Sequence, residues 1–279
     1  MTATPSPERP GAAALFDAVA DDYDQSGVAF FEPIAQGLVD TLAPVPGERV
    51  ADLGCGRGAA TLPLARAVRP GGRVVGLDIS SRMLAHAREA VEREGLEVDL
   101  RLADVAEPGL PEGDFDVVAS SLVLFFLPEP AAALARWVQL LAPGGRIGLA
   151  TFGARHPVYE AVDDEFRPWL PPQLRDPRVV GADSPFASDE GMERLLAGAG
   201  ADQVRTVTLR LPIRIDSVER WEAMSRGTGQ RAMWANIPPE ELDGLRARVA
   251  DHLEQVRSPT GDFEVWQDIR HTLGDRPTA

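Results

Sequence analysis

Apolar positions recur at helical spacing near the amino terminus, through Leu15, Phe16, Val19 and Ala20, and predict a helix over residues 12–20. A second such pattern covers residues 30–42 and stops before Pro44, Pro46 and Gly47. The period then changes. Short apolar runs at 49–53, 73–78, 98–102, 116–123 and 146–152 read as strands, separated by helical stretches at 59–68, 80–94 and 129–141. Near-continuous apolar strands alternating with helices predict βαβ units and a parallel sheet covered on both faces. Beyond residue 153 the pattern is less regular. Residues 154–187 are rich in proline and aromatic side chains and read as an insertion, 189–198 as a helix. Two late alternating strands, 201–213 and 262–273, flank a helical stretch broken near Gly227–Gly229 and at Pro238-Pro239. The expected organisation is therefore amino-terminal cap helices at 1–45, with residues 1–10 frayed, and an α/β core at 46–153. A lid insertion at 154–187 and a segment 188–279 follow; the latter completes the sheet and carries a helical lid excursion at about 216–258.

Composition narrows the partners. The 279 residues carry 43 acidic and 28 basic side chains, a formal charge of −15. Such a field repels a phosphate backbone, and the arginines form no basic stripe, so nucleic acid is not an expected partner. There is no lysine, which removes P-loop and Schiff-base chemistry together. One cysteine, Cys55, and four histidines without a helical metal-pair spacing leave no expected metal site. No apolar run is long enough for a membrane span and no secretory signal is visible, so the reading is a soluble cytoplasmic protein.

The chemistry-bearing feature is the turn Gly54-Cys-Gly-Arg-Gly58 between the first core strand and its helix. Glycines let a ligand approach the backbone, and the following helix starts with unpaired N–H groups. The nicotinamide fingerprint places its third glycine one residue later. Asp52, two residues before the turn, would repel a pyrophosphate and attract an ammonium group. Asp78 ends the second strand twenty residues after Gly58, suited to accept from both ribose hydroxyls. Asp104 ends the third strand the same way and, with the next amide, suits an adenine edge.

Val50-Ala-Asp-Leu-Gly-Cys-Gly-Arg-Gly58, Gly76-Leu-Asp-Ile-Ser80, Ala103-Asp104, Phe115-Asp-Val-Val118 and Leu141-Ala-Pro-Gly-Gly-Arg146 together resemble the ordered motifs of class I S-adenosylmethionine-dependent methyltransferases. The branch they resemble is the small-molecule one related to ubiquinone and menaquinone biosynthesis, whose amino-terminal element is similar to Phe16-Asp-Ala-Val-Ala-Asp-Asp-Tyr-Asp24. The resemblance spans residues 16 to about 152. It implies a Rossmann-like seven-stranded sheet of order 3-2-1-4-5-7-6 with strand 7 antiparallel, and helices on both faces. It implies S-adenosylmethionine as cofactor and S-adenosylhomocysteine as product. By that resemblance Asp52, Gly54, Cys55 and Gly56 would hold the methionine portion, Asp78 and Ile79 the ribose, and Asp104 and Val105 the adenine. Met83 would pack on the adenine or serve as a core methionine. Ser120 or Ser121 would meet the amino-acid end, and Tyr23 would fold over the site. Where many relatives have a histidine after the fourth strand, this chain has Phe125 and Phe126, an expected aromatic acceptor wall.

Methyl transfer from a sulfonium is a displacement in which positioning does most of the work, and a base helps only a nucleophile of high pKa. The base candidates are His156, in a loop after the fifth strand, and Tyr23. Tyr159, Trp169, Trp221 and Trp234 are expected to line the substrate pocket, with lid core as the plainer role for them. The function expected is methyl transfer to a small organic acceptor such as a natural product. A cofactor-binding protein of the same fold without methyl transfer, or one catalysing a cyclisation, is the alternative. The acceptor atom and the oligomeric state, a homo-oligomer included, stay open at this level.

Overall fold

The computed structural model describes residues 12–21, 23, 26–169, 184–227, 231–234 and 236–278. Residues 1–10, the 170–183 part of the insertion, and Gly229 in the helical break lie outside the described residues. Five parallel strands, β1 (Arg49–Leu53), β2 (Arg73–Asp78), β3 (Val98–Leu102), β4 (Phe115–Ser121) and β5 (Leu141–Arg155), are followed by β6 (Asp202–Ile215) and β7 (Phe263–Asp275). The sheet order is β3-β2-β1-β4-β5-β7-β6, and β7 runs antiparallel to both neighbours. The order and the reversed last strand agree with the sequence expectation.

Burial on both faces explains the apolar runs. Alternate residues of β1 serve opposite sides, with Val50 in one core and Ala51 and Leu53 in the other. Helices α2 (Phe31–Leu42), α3 (Thr61–Ala67) and α4 (Ser81–Arg93) cover the first face, and α5 (Pro130–Leu140) and α7 (Asp189–Gly198) the second. Capping is local. Ser80 and Ser188 accept from the amides of Met83 and Gly191 at the starts of α4 and α7, and Pro130 sits in the first turn of α5. Helix α3 begins at Thr61 rather than Ala59, because residues 56–60 are spent on the glycine turn.

Strands β5, β6 and β7 are long, at 15, 14 and 13 residues, and reach past the ends of the parallel strands. On their overhang, α6 (Val158–Phe166), α8 (Val218–Arg226), α9 (Arg231–Trp234) and α10 (Leu242–Glu254) pack against Ile213, Ile215, Phe263 and Val265. Phe166, Trp221 and Trp234 form a triangle of rings at its centre, with centroids 5.0 to 6.3 Å apart. At the other end of the chain, α1 (Ala12–Val19) lies against α4.

Candidate active site

The carboxyl ends of β1, β2 and β4 converge on the glycine turn. The Gly54 and Cys55 amides both donate to the Leu77 carbonyl at 2.8 Å, tying the turn to β2. Gly54 has φ +81°, and a Cβ there would lie 2.3 Å from the Val123 side chain. Gly56 has φ +52°, and its Cβ direction is open space. The first glycine thus admits the β4 loop, while the second leaves room for a ligand.

The acids of this turn sit in an unusual field. Asp52 is fully buried; Oδ2 accepts from the Thr61 hydroxyl at 2.6 Å, and Oδ1 has no hydrogen-bond partner. Burial pushes its carboxyl up to about 7, with Thr61 pulling it down and the Asp78 charge adding to the rise. Asp78 is buried as well, accepting from the Gly56 amide on Oδ2 and the Ser80 amide on Oδ1, each at 2.8 Å. Burial raises its carboxyl too, against the lowering effect of the amides. An orphaned, desolvated carboxylate oxygen beside an open glycine suits an ammonium group. Cys55 is buried within the turn, its thiol pushed up by burial and by the Asp52 and Asp78 charges. Ile79 continues the chain from Asp78 and is half-buried.

Asp104 is exposed after β3, with Oδ1 accepting from the Ala106 amide at 2.8 Å. Val105 is buried, and its carbonyl accepts from the Trp137 indole at 2.7 Å, which anchors that loop to α5. Ser120 donates to the Leu53 carbonyl at 2.7 Å and is buried between β4 and β1. Of the two serines, Ser121 is the one with exposed surface. Immediately beyond it, Leu122 adopts φ +60°, a strained conformation for leucine that turns Val123 back over Gly54. No residue pattern signals that strain.

Met83 is 2% exposed and lies under Ala20, Phe16 and Tyr23. Its burial among these side chains matches the core role, the plainer of the two expected for it. Tyr23 stacks on Phe31 with centroids 4.4 Å apart. From there a run of rings extends over the sheet edge. Phe31 meets Phe30, Phe30 meets Phe152, Phe152 meets Phe125, and Phe125 meets both Phe126 and Phe186, at 4.7 to 6.3 Å between centroids. Phe16 of α1 touches Phe126 edge-on at 5.3 Å. Phe125 and Phe126 therefore belong to a wall; of its other members, Phe16 opens the amino-terminal motif, while Phe30, Phe31, Phe152 and Phe186 carried no motif and come from three further segments.

The lid aromatics fall elsewhere. Trp221 is 2% exposed, and Trp234 and Tyr159 are also buried, so all three are lid core rather than surfaces of an open pocket. The Trp234 indole donates to Ser225 at 2.9 Å. Trp169 is half-buried against the same core. His156 contacts Val158 and Trp266. Its Nδ1 accepts from the Val158 amide at 3.2 Å, and its ring meets Trp266 edge-on at 5.9 Å. Trp266 alternates with Val265 and so faces the opposite side of the sheet from the lid core. His156 is also six residues past Ala150, the partner of Ser121, which is roughly 20 Å along an extended strand. The other histidines are engaged as well: His86 with Asp21, His252 with Glu165 and His271 with Thr41.

A sheet of order 3-2-1-4-5-7-6, a glycine turn after its first strand and acids at the ends of the next two define the class I methyltransferase architecture. Residues 51–149 match the family model described as a methyltransferase domain. The chain is 37% identical over 258 residues to nocamycin O-methyltransferase of Saccharothrix syringae, covering 86% of this chain and 89% of that one. It is 38% identical over 205 residues to aklanonic acid methyltransferase DauC of Streptomyces sp. (strain C5), covering 70% and 93% respectively. Among solved structures, YcgJ of Bacillus subtilis shares the fold, with TM-score 0.60 at 17% identity over 88% of this chain and 99% of that one. The chain belongs to the S-adenosylmethionine-dependent methyltransferases.

Proposed function

We propose that this enzyme methylates an acidic oxygen, a carboxylate or an acidic enol or phenol, on a flat, largely apolar natural product in the cytoplasm. The observation that carries the reading is the aromatic wall from Tyr23 to Phe186, combined with the partners that all four histidines take outside its ring contacts. Rings of this kind bind a planar acceptor by stacking and exclude water. An oxygen that is already ionised needs no base, so the wall lacks one without loss. The two similar proteins named above support oxygen as the acceptor atom, one as an O-methyltransferase and the other as an acid methyltransferase.

S-adenosylmethionine, when bound, supplies an electrophilic sulfonium methyl. Asp52 would hold its ammonium group, with the orphaned Oδ1 as acceptor, and Asp78 its ribose. Gly54, Cys55 and Gly56 would leave the backbone open to it, Asp104 and Val105 would frame the adenine, and Ser121 stands at the mouth of β4. Tyr23 acts here as a stacking residue that closes the wall, not as a base. No helix among the described residues is long and apolar enough to cross a membrane.

The test is S-adenosylhomocysteine formation with labelled S-adenosylmethionine and a panel of polycyclic acids, aklanonic acid among them. A product whose label is released by mild alkali is a methyl ester; a stable label marks an ether. Turnover only with amines or with nucleic acid would overturn the proposal. Phe125→Ala should lower kcat/KM for the acceptor by about tenfold or more, as expected for losing an aromatic contact of about 1.5 kcal/mol. Affinity for S-adenosylhomocysteine should not change.

A further inference from the structure

Asp52 and Thr61 bracket the glycine turn, one at the end of β1 and the other opening α3. Both are wholly buried, and Asp52 has Gly76 of β2 and Ala119 of β4 as its strand neighbours. Among the described residues, the Thr61 hydroxyl is the one hydrogen-bond partner of this carboxyl, on Oδ2 at 2.6 Å. Two titratable groups face the pair. Asp78, at the end of β2, adds a like charge, and the Cys55 thiol in the turn stays neutral because burial pushes it up.

A threonine hydroxyl has a single proton to donate, and an ionised carboxylate can only accept. With the hydroxyl proton placed on Oδ2, a proton taken up by the carboxyl goes to Oδ1, which has no other partner. Oδ1 is also the oxygen assigned above to the ammonium group. Proton and ammonium therefore exclude one another at a single atom. The hydroxyl further decides how readily the carboxyl ionises, because it is the donor that favours the charge against burial and against Asp78.

We propose that Thr61 is a positioning residue for Asp52, directing proton and cofactor to compete for Oδ1, so that loading the protonated site expels one proton. The inference rests on the cofactor reading proposed above. The step balances as an exchange. The O–H bond on Oδ1 breaks and its proton leaves to water, while the ligand keeps its own ammonium protons and takes the freed oxygen as acceptor. Cofactor loading is then sensitive to pH, and the midpoint of that sensitivity is set by a hydroxyl that acts through Asp52 alone.

Calorimetry with S-adenosylhomocysteine, in buffers of different ionisation heat, counts the protons released on binding. With the Asp52 carboxyl at about 7, the wild type should release about 0.9 proton at pH 6 and about 0.1 at pH 8. Thr61→Val keeps the shape and removes the donor. Its half-release point should move up by about one to two pH units, as expected for a lost hydrogen bond to a charged group, leaving about half a proton or more still released at pH 8. Its affinity deficit should be about tenfold or more at pH 6 and narrow as the pH rises, whereas lost packing alone would cost the same at every pH. Thr61→Ser should restore the wild-type profile. Thr61→Cys, a weak donor of similar size, should shift it by less than valine does, and it decides the matter if Thr61→Val unfolds. Binding without proton release at pH 6, or a release that neither variant moves, would overturn the proposal and leave the cofactor reading standing. Failure of the wild type to bind S-adenosylhomocysteine at any pH would remove the cofactor reading and this inference together.

Discussion

Replacing Asp52 by asparagine separates what this carboxyl does for the fold from what it does for the ligand. Its folded value of about 7, against 3.8 when exposed, means the folded chain holds a proton here that the unfolded chain has released. Stability from this group is complete below 3.8 and is lost as the pH rises to about 7, where the loss levels off. At about 1.4 kcal/mol per pH unit the full loss is about 4 kcal/mol. Roughly 2 kcal/mol of that falls between about pH 5.5 and 8.5, where unfolding is conveniently measured. Asparagine keeps an oxygen for Thr61 and cannot ionise. Urea denaturation should therefore show the wild type losing about 2 kcal/mol more than Asp52→Asn across that interval, whatever the absolute stability of the variant. Binding should run the opposite way. An ammonium ligand requires the ionised carboxyl, so wild-type affinity for S-adenosylhomocysteine should rise about tenfold per pH unit below 7 and then flatten. The variant should bind weakly with no such rise. Parallel pH dependences of stability and affinity in the two proteins would refute the reasoning, because they would mean that Asp52 is ionised in the free enzyme.

Asp78→Asn should weaken S-adenosylhomocysteine binding by about 1.5 to 3 kcal/mol by calorimetry, the worth of hydrogen bonds to a charged group; unchanged affinity with an intact fold would free Asp78 from the ribose. His156→Ala should lower kcat by less than about fivefold, whereas a loss of about 10²-fold or more would restore His156 as a base. His271 is buried beside Thr41, and burial lowers its value to about 4, so it folds as the neutral ring. Its contribution is present above 6.5 and is lost as the pH falls toward 4, up to about 3 kcal/mol. His271→Leu should flatten that acid limb in denaturation curves, and an unchanged limb would place the acid sensitivity elsewhere.

Local signals in the chain determined much of this protein. Apolar runs buried on both faces set four of the five parallel strands, because a residue of either parity must be apolar there, while the edge strand β3 alternates apolar with charged residues. Glycines at 54 and 56 and acids at 52 and 78 marked the end of the sheet proposed for the cofactor, because a tight turn and a desolvated carboxylate need particular residues at particular spacings. Reading helix ends was harder at Ala59, where good helix formers are consumed by the turn. What only the tertiary structure decided is which aromatic residues meet. Trp221, Trp234 and Tyr159 match any apolar pocket by composition, yet the overhang of β5, β6 and β7 draws them into the lid core. Phe30, Phe31, Phe152 and Phe186 look like ordinary core residues one at a time and form a wall because three distant segments converge. The turn of Leu122 and the reach of Arg57 to Ala20 and Tyr23 are of the same kind. A side chain's partner across the fold depends on chain path and packing, which no local spacing encodes, and for that reason the contact of His156 with Trp266 was not legible in the chain.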